Sequence, residues 1–274
     1  MALSKSDAVK LAQAVAAQFA EIPEVEAVAL GGSLAAGQAD ALSDIDLYVF
    51  AKSEIPVATR AALIEPRAAQ MQLDNRFWEL EDYWRERDSG IKIEAIYRDP
   101  EWLSGHLQDL LKGKGAQLGY STSLWHSIVV SKNLFDRDRW FAELQKSVDV
   151  PYPDVLAQAV IAKNFPLLRG SMADIPSQLE VTVEREDWVG VHHRIDLLLG
   201  CYFDTLFALN RALHPGGKRQ LAYAEKLDLK PENMTEDVNG LAVGLEPKSI
   251  VAKVDELVDQ LERLLSEQGQ LPEG

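Results

Sequence analysis

Apolar positions at Val9, Leu11, Val15 and Phe19, set among alanines, recur with a helical period and predict an amphipathic helix over 5–20, ended by the segment around Pro23. The period then shortens. VEAVAL, 25–30, is short, β-branched and followed by two glycines, which predicts a strand. DIDLYVF, 44–50, alternates: Asp44, Asp46, Tyr48 and Phe50 point one way, Ile45, Leu47 and Val49 the other. IKIEAIY, 91–97, alternates again, with Ile91, Ile93, Ala95 and Tyr97 opposite Lys92, Glu94 and Ile96. SIVVSK, 127–132, reads as a fourth strand, and helices are expected near 57–72, 75–86 and 100–112. Strands mixed with helices in one region predict an α/β or α+β sheet domain.

Past Pro151 and Pro153 the strand signal fades. Residues 154–168 read as a helix kinked or ended near Pro166, and 186–213 as a long apolar-rich helical stretch. Residues 247–269 read as a helix with Pro247 at its start and Gly269 trailing it. The expected organisation is a sheet domain over 1–149 and an all-α helical bundle over 150–274. His192 and His193 are adjacent in a helical segment and face different directions, so they do not share a metal.

The chemistry concentrates in ALGGSLAAGQADALSDIDLYVF, 29–50. Carboxylates are costly to desolvate and repel one another at close range. Asp44 and Asp46 on one strand face therefore need either water or a cation. Gly31 and Gly32 permit backbone angles and close approach that a Cβ forbids. With Ser33 they form a turn whose amides and hydroxyl can cradle phosphate oxygens, helped by a helix expected to start at Leu34 or Ala35. The two aspartates suit Mg²⁺, a hard cation that takes carboxylate, water and phosphate oxygens. Glu94, on another strand, adds a third acid if its face meets the same cleft. No Gly-Lys-Ser/Thr follows the glycines, which excludes a P-loop.

Leu30-Gly31-Gly32-Ser33, a spacer of about ten residues, then Asp44-Ile45-Asp46-Leu47 resembles the signature of the DNA polymerase β-like nucleotidyltransferase superfamily. Glu94 matches its expected third carboxylate. A small mixed-sheet head followed by helices is similar to the aminoglycoside nucleotidyltransferases and to uncharacterised bacterial relatives. The resemblance implies an α+β fold. It implies a Mg²⁺-dependent transfer of a nucleoside monophosphate from a nucleoside triphosphate, ATP being the expected donor, to an acceptor hydroxyl, with release of pyrophosphate. Gly32 and Ser33 would hold phosphates, Asp44 and Asp46 would bind the metal, and Glu94 would either join them or act as general base. Lys218 or Arg219, in RALHPGGKR, is a candidate for reaching the triphosphate, and the acceptor is expected between the two domains. The alternative is a catalytically silent nucleotide-binding or antitoxin-like regulatory module of the same fold.

Composition narrows the partners. Asp and Glu number 43 against 28 Lys and Arg, a formal charge of -15. An acidic surface disfavours a polynucleotide acceptor and favours a small hydroxyl-bearing one, with acidic walls suiting a cationic sugar. One cysteine, Cys201, precludes an internal disulfide and fits a reducing cytoplasm. The amphipathic N-terminal pattern is not a signal peptide, and no apolar run is long enough to span a bilayer.

Overall fold

The structure, a computed structural model, describes residues 4–40, 42–244 and 247–272. The chain divides into two compact units: Met1–Leu107 with Ser127–Val150, and Gln108–His126 with Pro151–Gly274. One break falls beside the Pro151/Pro153 pair. Segment 108–126, which interrupts the first unit in sequence, groups with the helices.

In the first unit, α1 (Lys5–Phe19) is capped by the Ser4 side chain, which accepts from the Asp7 amide. It is followed by β1 (Val25–Leu30), the single turn α2 (Gly32–Ala35), β2 (Ile45–Ala51), α3 (Val57–Ile64), β3 (Ala68–Asn75), β4 (Leu80–Glu86), β5 (Lys92–Arg98) and α4 (Pro100–Leu111). After α4 come α5 (Ser123–Val130), β6 (Lys132–Asp136) and α6 (Trp140–Val148). The six strands form one mixed sheet in the order β3-β4-β5-β2-β1-β6. β2 runs parallel to β5 and the other neighbours are antiparallel.

One sheet face is the core. Val28, Leu30, Ile45, Leu47, Val49, Ile93 and Ala95 are buried there, clustered with Ala12, Val15, Ala16 and Phe19 of α1 and Ile64 of α3. The alternation of β2 and β5 therefore does what its period requires. At one end of the opposite face, Phe50 lies between Trp140 and Phe141, each ring centroid 5.2 Å away.

Three sequence expectations are corrected. The helix expected over 75–86 is strand β4, and the one over 57–72 ends at Ile64 and gives way to β3. The cause is a buried charge. Asp82 faces the core from mid-strand, so its polar character hides the alternation. Fully buried Arg60 donates to Asp82 at 2.5 Å, to Asp74 at 3.0 Å and to the Ile55 carbonyl at 3.0 Å, while the Tyr97 hydroxyl donates to Asp82 at 2.8 Å. The strand expected over 127–132 is the C-terminal part of α5, with β6 starting at Lys132. A short apolar run has no period of its own to separate strand from helix.

The second unit contains α7 (Asp154–Leu168), α8 (Ile175–Glu184), α9 (Trp188–Leu209), α10 (Gln220–Ala224), α11 (Met234–Val243) and α12 (Pro247–Glu267). α9 is its axis: from Gly200 to Leu209 every residue is buried. Asp204 lies within that run and accepts from the Ser121 amide at 3.1 Å, the Ser121 hydroxyl at 2.6 Å and Asn164 Nδ2 at 3.1 Å. Asn164 also accepts from the Gly119 amide. This network ties loop 117–121 to α7 and α9. Arg169 at the end of α7 pairs with Asp255, Asp259 and Glu262, spaced along one face of α12. No described helix is long and apolar enough to cross a membrane.

Arg60→Met should leave Asp82 buried and uncompensated and lower stability by roughly 3–5 kcal/mol. Urea denaturation of the whole chain measures it, and an unchanged midpoint would show that the pair contributes nothing. Burial pushes the Asp204 carboxyl up to about 6, above its value in an unfolded chain. The folded state then holds the extra proton between about pH 4 and 6. Its stabilising contribution is full below about pH 4 and is lost as pH rises through 6. Relative to Asp204→Asn, the parent should therefore lose stability across that window, by roughly 2–3 kcal/mol.

Candidate functional site: a three-carboxylate cluster at the end of the sheet

The register of the sheet assembles the site. Asp46 of β2 lies directly opposite Glu94 of β5, and Asp44 immediately precedes β2. Asp44, Asp46 and Glu94 each present a carboxylate oxygen within 4.8 Å of the others, and all three are half-buried. At about 5 Å and an effective dielectric constant near 20, each like pair repels by roughly 3 kcal/mol. Lys92, two residues before Glu94 and so on the same face, partly offsets this. Its Nζ is 3.3 Å from Glu94 and 3.7 Å from Asp44. The Glu94 carboxyl is held above the usual carboxylate range, first by burial and further by Glu81 and Asp44, with Lys92 opposing.

The two glycines are demanded by side chains of β2. The Gly31 amide donates to the Asp46 carbonyl at 2.8 Å, extending the β1–β2 pairing one step past the strand. A Cβ on Gly31 would meet the Tyr48 ring at 2.6 Å. Gly32 has φ +58°, and a Cβ there would stand 1.6 Å from Asp46 Oδ2. The turn thus packs its backbone directly on the Asp46 carboxylate. The helix expected from Leu34 or Ala35 starts earlier, at Gly32, and is a single turn. The amides of the turn itself therefore contribute more than any helix dipole.

Beyond Glu94 the same face continues across the sheet. Glu94 pairs with Tyr83 of β4, and Tyr83 with Gln72 of β3. The Tyr83 hydroxyl donates to buried Glu81, and the Lys92 ammonium lies over the Tyr83 ring, 4.6 Å from its centroid. Burial is the main cause that raises the Tyr83 hydroxyl above the ordinary phenol range, followed by the bond to Glu81 and the charge of Glu94. A cavity of about 840 Å³ opens beside the cluster, lined by Asp40, Ser43, Asp44, Arg85, Ser89 and Lys92 among others.

Of the residues singled out in the sequence, the first unit brings Asp44, Asp46 and Glu94 together and packs Gly32 on Asp46, with Ser33 next to Gly32 in α2. Lys218 belongs to the second unit, exposed in the loop that precedes α10. Sequence reasoning missed Lys92, Tyr83 and Arg85 as neighbours of the acids. Lys92 was legible, since it alternates with Glu94. Tyr83 and Arg85 were hidden by the helical reading of β4.

The cluster suits a divalent cation: its donors are hard carboxylate oxygens, and their mutual repulsion is relieved by positive charge. Residues 10–108 match the family model described as a nucleotidyltransferase domain. Three solved structures show similarity at low identity. A nucleotidyltransferase-like protein from Exiguobacterium sibiricum 255-15 is 12% identical, with TM-score 0.46, over 95% of this chain and 75% of that one. The Thermotoga maritima CCA-adding enzyme, complexed with tRNA, is 12% identical, with TM-score 0.33, over 97% and 82%. The STING-associated CdnE c-di-GMP synthase from Capnocytophaga granulosa is 10% identical, with TM-score 0.28, over 98% and 82%. No curated protein matches the chain. Residues 10–108 are thus a nucleotidyltransferase domain of the DNA polymerase β-like superfamily, at the N-terminal end of an α+β chain that continues into a helical region.

Gly32→Ala should be costly for two reasons at once: a left-handed φ and a Cβ driven into Asp46. The expected loss is roughly 1–3 kcal/mol. The amide resonances of Asp46 and Glu94 should move in a heteronuclear spectrum while those of α12 stay in place. An unperturbed Asp46 would refute the packing described.

Proposed function

We propose that the protein transfers a nucleoside monophosphate from a nucleoside triphosphate, ATP by default, to a hydroxyl of a small acceptor. The observation that carries this reading is the convergence of Asp44, Asp46 and Glu94 within 4.8 Å beside the Gly32–Ser33 turn. Asp44 and Asp46 would hold Mg²⁺, with Glu94 within reach of the same ion. Bound there, the ion would neutralise phosphate charge and stabilise the charge that develops at the α-phosphorus.

The chain's own residues divide the remaining work by their place in the sheet. The Gly32 and Ser33 amides and the Ser33 hydroxyl lie on the β1 side of Asp46 and hold the β- and γ-phosphates, where negative charge builds as pyrophosphate departs. Glu94 lies on the β5 side, away from that turn, and takes the proton of the acceptor hydroxyl. The acceptor oxygen then bonds to the α-phosphorus. The bond from that phosphorus to its β-bridging oxygen breaks, and pyrophosphate leaves with the electron pair. Phosphate cradle and base on opposite sides of Asp46 suit an in-line displacement, whose nucleophile and leaving group must oppose each other.

Asp46→Asn tests the reading. The side chain is half-buried at the mouth of the site, so the fold should persist. Replacing a carboxylate by an amide should weaken Mg²⁺-dependent binding of a non-hydrolysable triphosphate at least tenfold in titration calorimetry. Equal affinity in a folded variant would remove Asp46 from the site. With labelled nucleoside triphosphates, Mg²⁺ and acceptor pools, transfer should appear on a small hydroxyl compound. Transfer only to RNA ends would overturn the acceptor class and leave nucleotidyl transfer standing.

A further inference from the structure

Arg85 of β4 and Lys92 of β5 are directly opposite each other across an antiparallel pair. Like charges in that relation oppose strand pairing. Arg85 is exposed, and its guanidinium donates to the Gly90 carbonyl of its own hairpin at 3.2 Å. Lys92 is held between Asp44 and Glu94. Two hollows meet at this pair. One is the cavity of about 840 Å³ that includes Asp44, Ser43 and Ser89. The other, of about 210 Å³, is lined by Gln70, Gln72, Tyr83 and Trp84. Both include Arg85 and Lys92.

Sheet order decides which substrate lies here. The phosphate-holding turn follows β1, on one side of Asp46, whereas on the other side Lys92 shares β5 with Glu94 and Arg85 lies past them on β4. In an in-line transfer that side belongs to the acceptor. A divalent cation held by Asp44 and Asp46 would draw the Asp44 carboxylate away from Lys92, leaving its ammonium shared with Glu94 alone. Two cations facing each other across β4 and β5 then need an anion.

Resting on the nucleotidyltransferase reading above, we infer that Arg85 and Lys92 form an anion subsite for the acceptor, which is a small hydroxyl compound bearing a phosphate or carboxylate. The guanidinium supplies a fork that matches either oxyanion, and Lys92 supplies a point charge beside it. Gln70 and Gln72, which follow in register on β3, offer amides to further hydroxyls. Two cations match one anionic group rather than a polynucleotide backbone, which needs several phosphate-neutralising residues. The inference replaces the cationic acceptor suggested by the overall acidity: the total charge is -15, but here two cations stand directly opposite each other.

The test is a titration of the full chain with inorganic phosphate, followed by amide resonances. It is run with Mg²⁺ and a saturating non-hydrolysable triphosphate, so that the donor position is filled. Phosphate should shift the resonances of Arg85, Gly90 and Lys92. Arg85→Gln should weaken phosphate at least tenfold and Arg85→Lys less, with triphosphate affinity within twofold of the parent in both. No phosphate effect in the parent, or equal phosphate affinity in Arg85→Gln, would overturn the subsite. Loss of triphosphate affinity in Arg85→Gln would also overturn it, because the pair would then serve the donor. If the parent fails to bind the triphosphate with Mg²⁺, the nucleotidyltransferase reading fails separately. The phosphate titration with Mg²⁺ alone, parent against Arg85→Gln, then decides the anion subsite by itself.

Discussion

The parallel register of β2 on β5 is the constraint on which the site depends. It sets Asp46 opposite Glu94, and every other feature of the cluster answers to that pairing. Shifting the register by one residue would turn Glu94 into the core and bring Ile93 or Ala95 to the cleft. The core prevents this. Ile45, Leu47 and Val49 on β2, and Ile93 and Ala95 on β5, are fully buried, and burying each of the Ile, Leu and Val side chains is worth roughly 1.5–3 kcal/mol. The hydrophobic effect therefore holds in place an arrangement of carboxylates that electrostatics alone would disperse.

Repulsion among the acids also explains their surroundings. Lys92 sits between two of them, and Gly32 gives up its side chain so that a backbone can lie against Asp46. Such sites combine local strain with unbalanced charge, and they persist because the scaffold over-determines them. The buried Arg60–Asp82–Tyr97 network on the opposite face is part of that scaffold, since it fixes β4 and β5 to α3 and the segment before it. The hairpin of β3 and β4 widens the sheet past Glu94. It thereby creates a surface that a sheet ending at β5 would lack, and on it Arg85 faces Lys92.

Much was legible in the sequence because it is written locally. The period-2 alternation of 44–50 and 91–97 fixes which side chains share a face. The glycines of 31–32 mark a turn whose close contacts turn out to be Tyr48 and Asp46. From these, Asp44, Asp46, Glu94, Gly32 and Ser33 could be named together, along with the α+β character of the chain. Tertiary structure decided the rest. Asp82 reads as a solvent-facing residue until Arg60, 22 positions away, is placed against it, so β4 could not be recognised as a strand. The run before Lys132 has no period to separate helix from strand. The sheet order, which puts Arg85 on the far side of Glu94 from the phosphate-holding turn and opposite Lys92, depends on pairings between segments distant in sequence. Local pattern determines which way a side chain faces, because the backbone repeat is fixed. Long-range pairing determines what it faces, because that depends on which strands share hydrogen bonds.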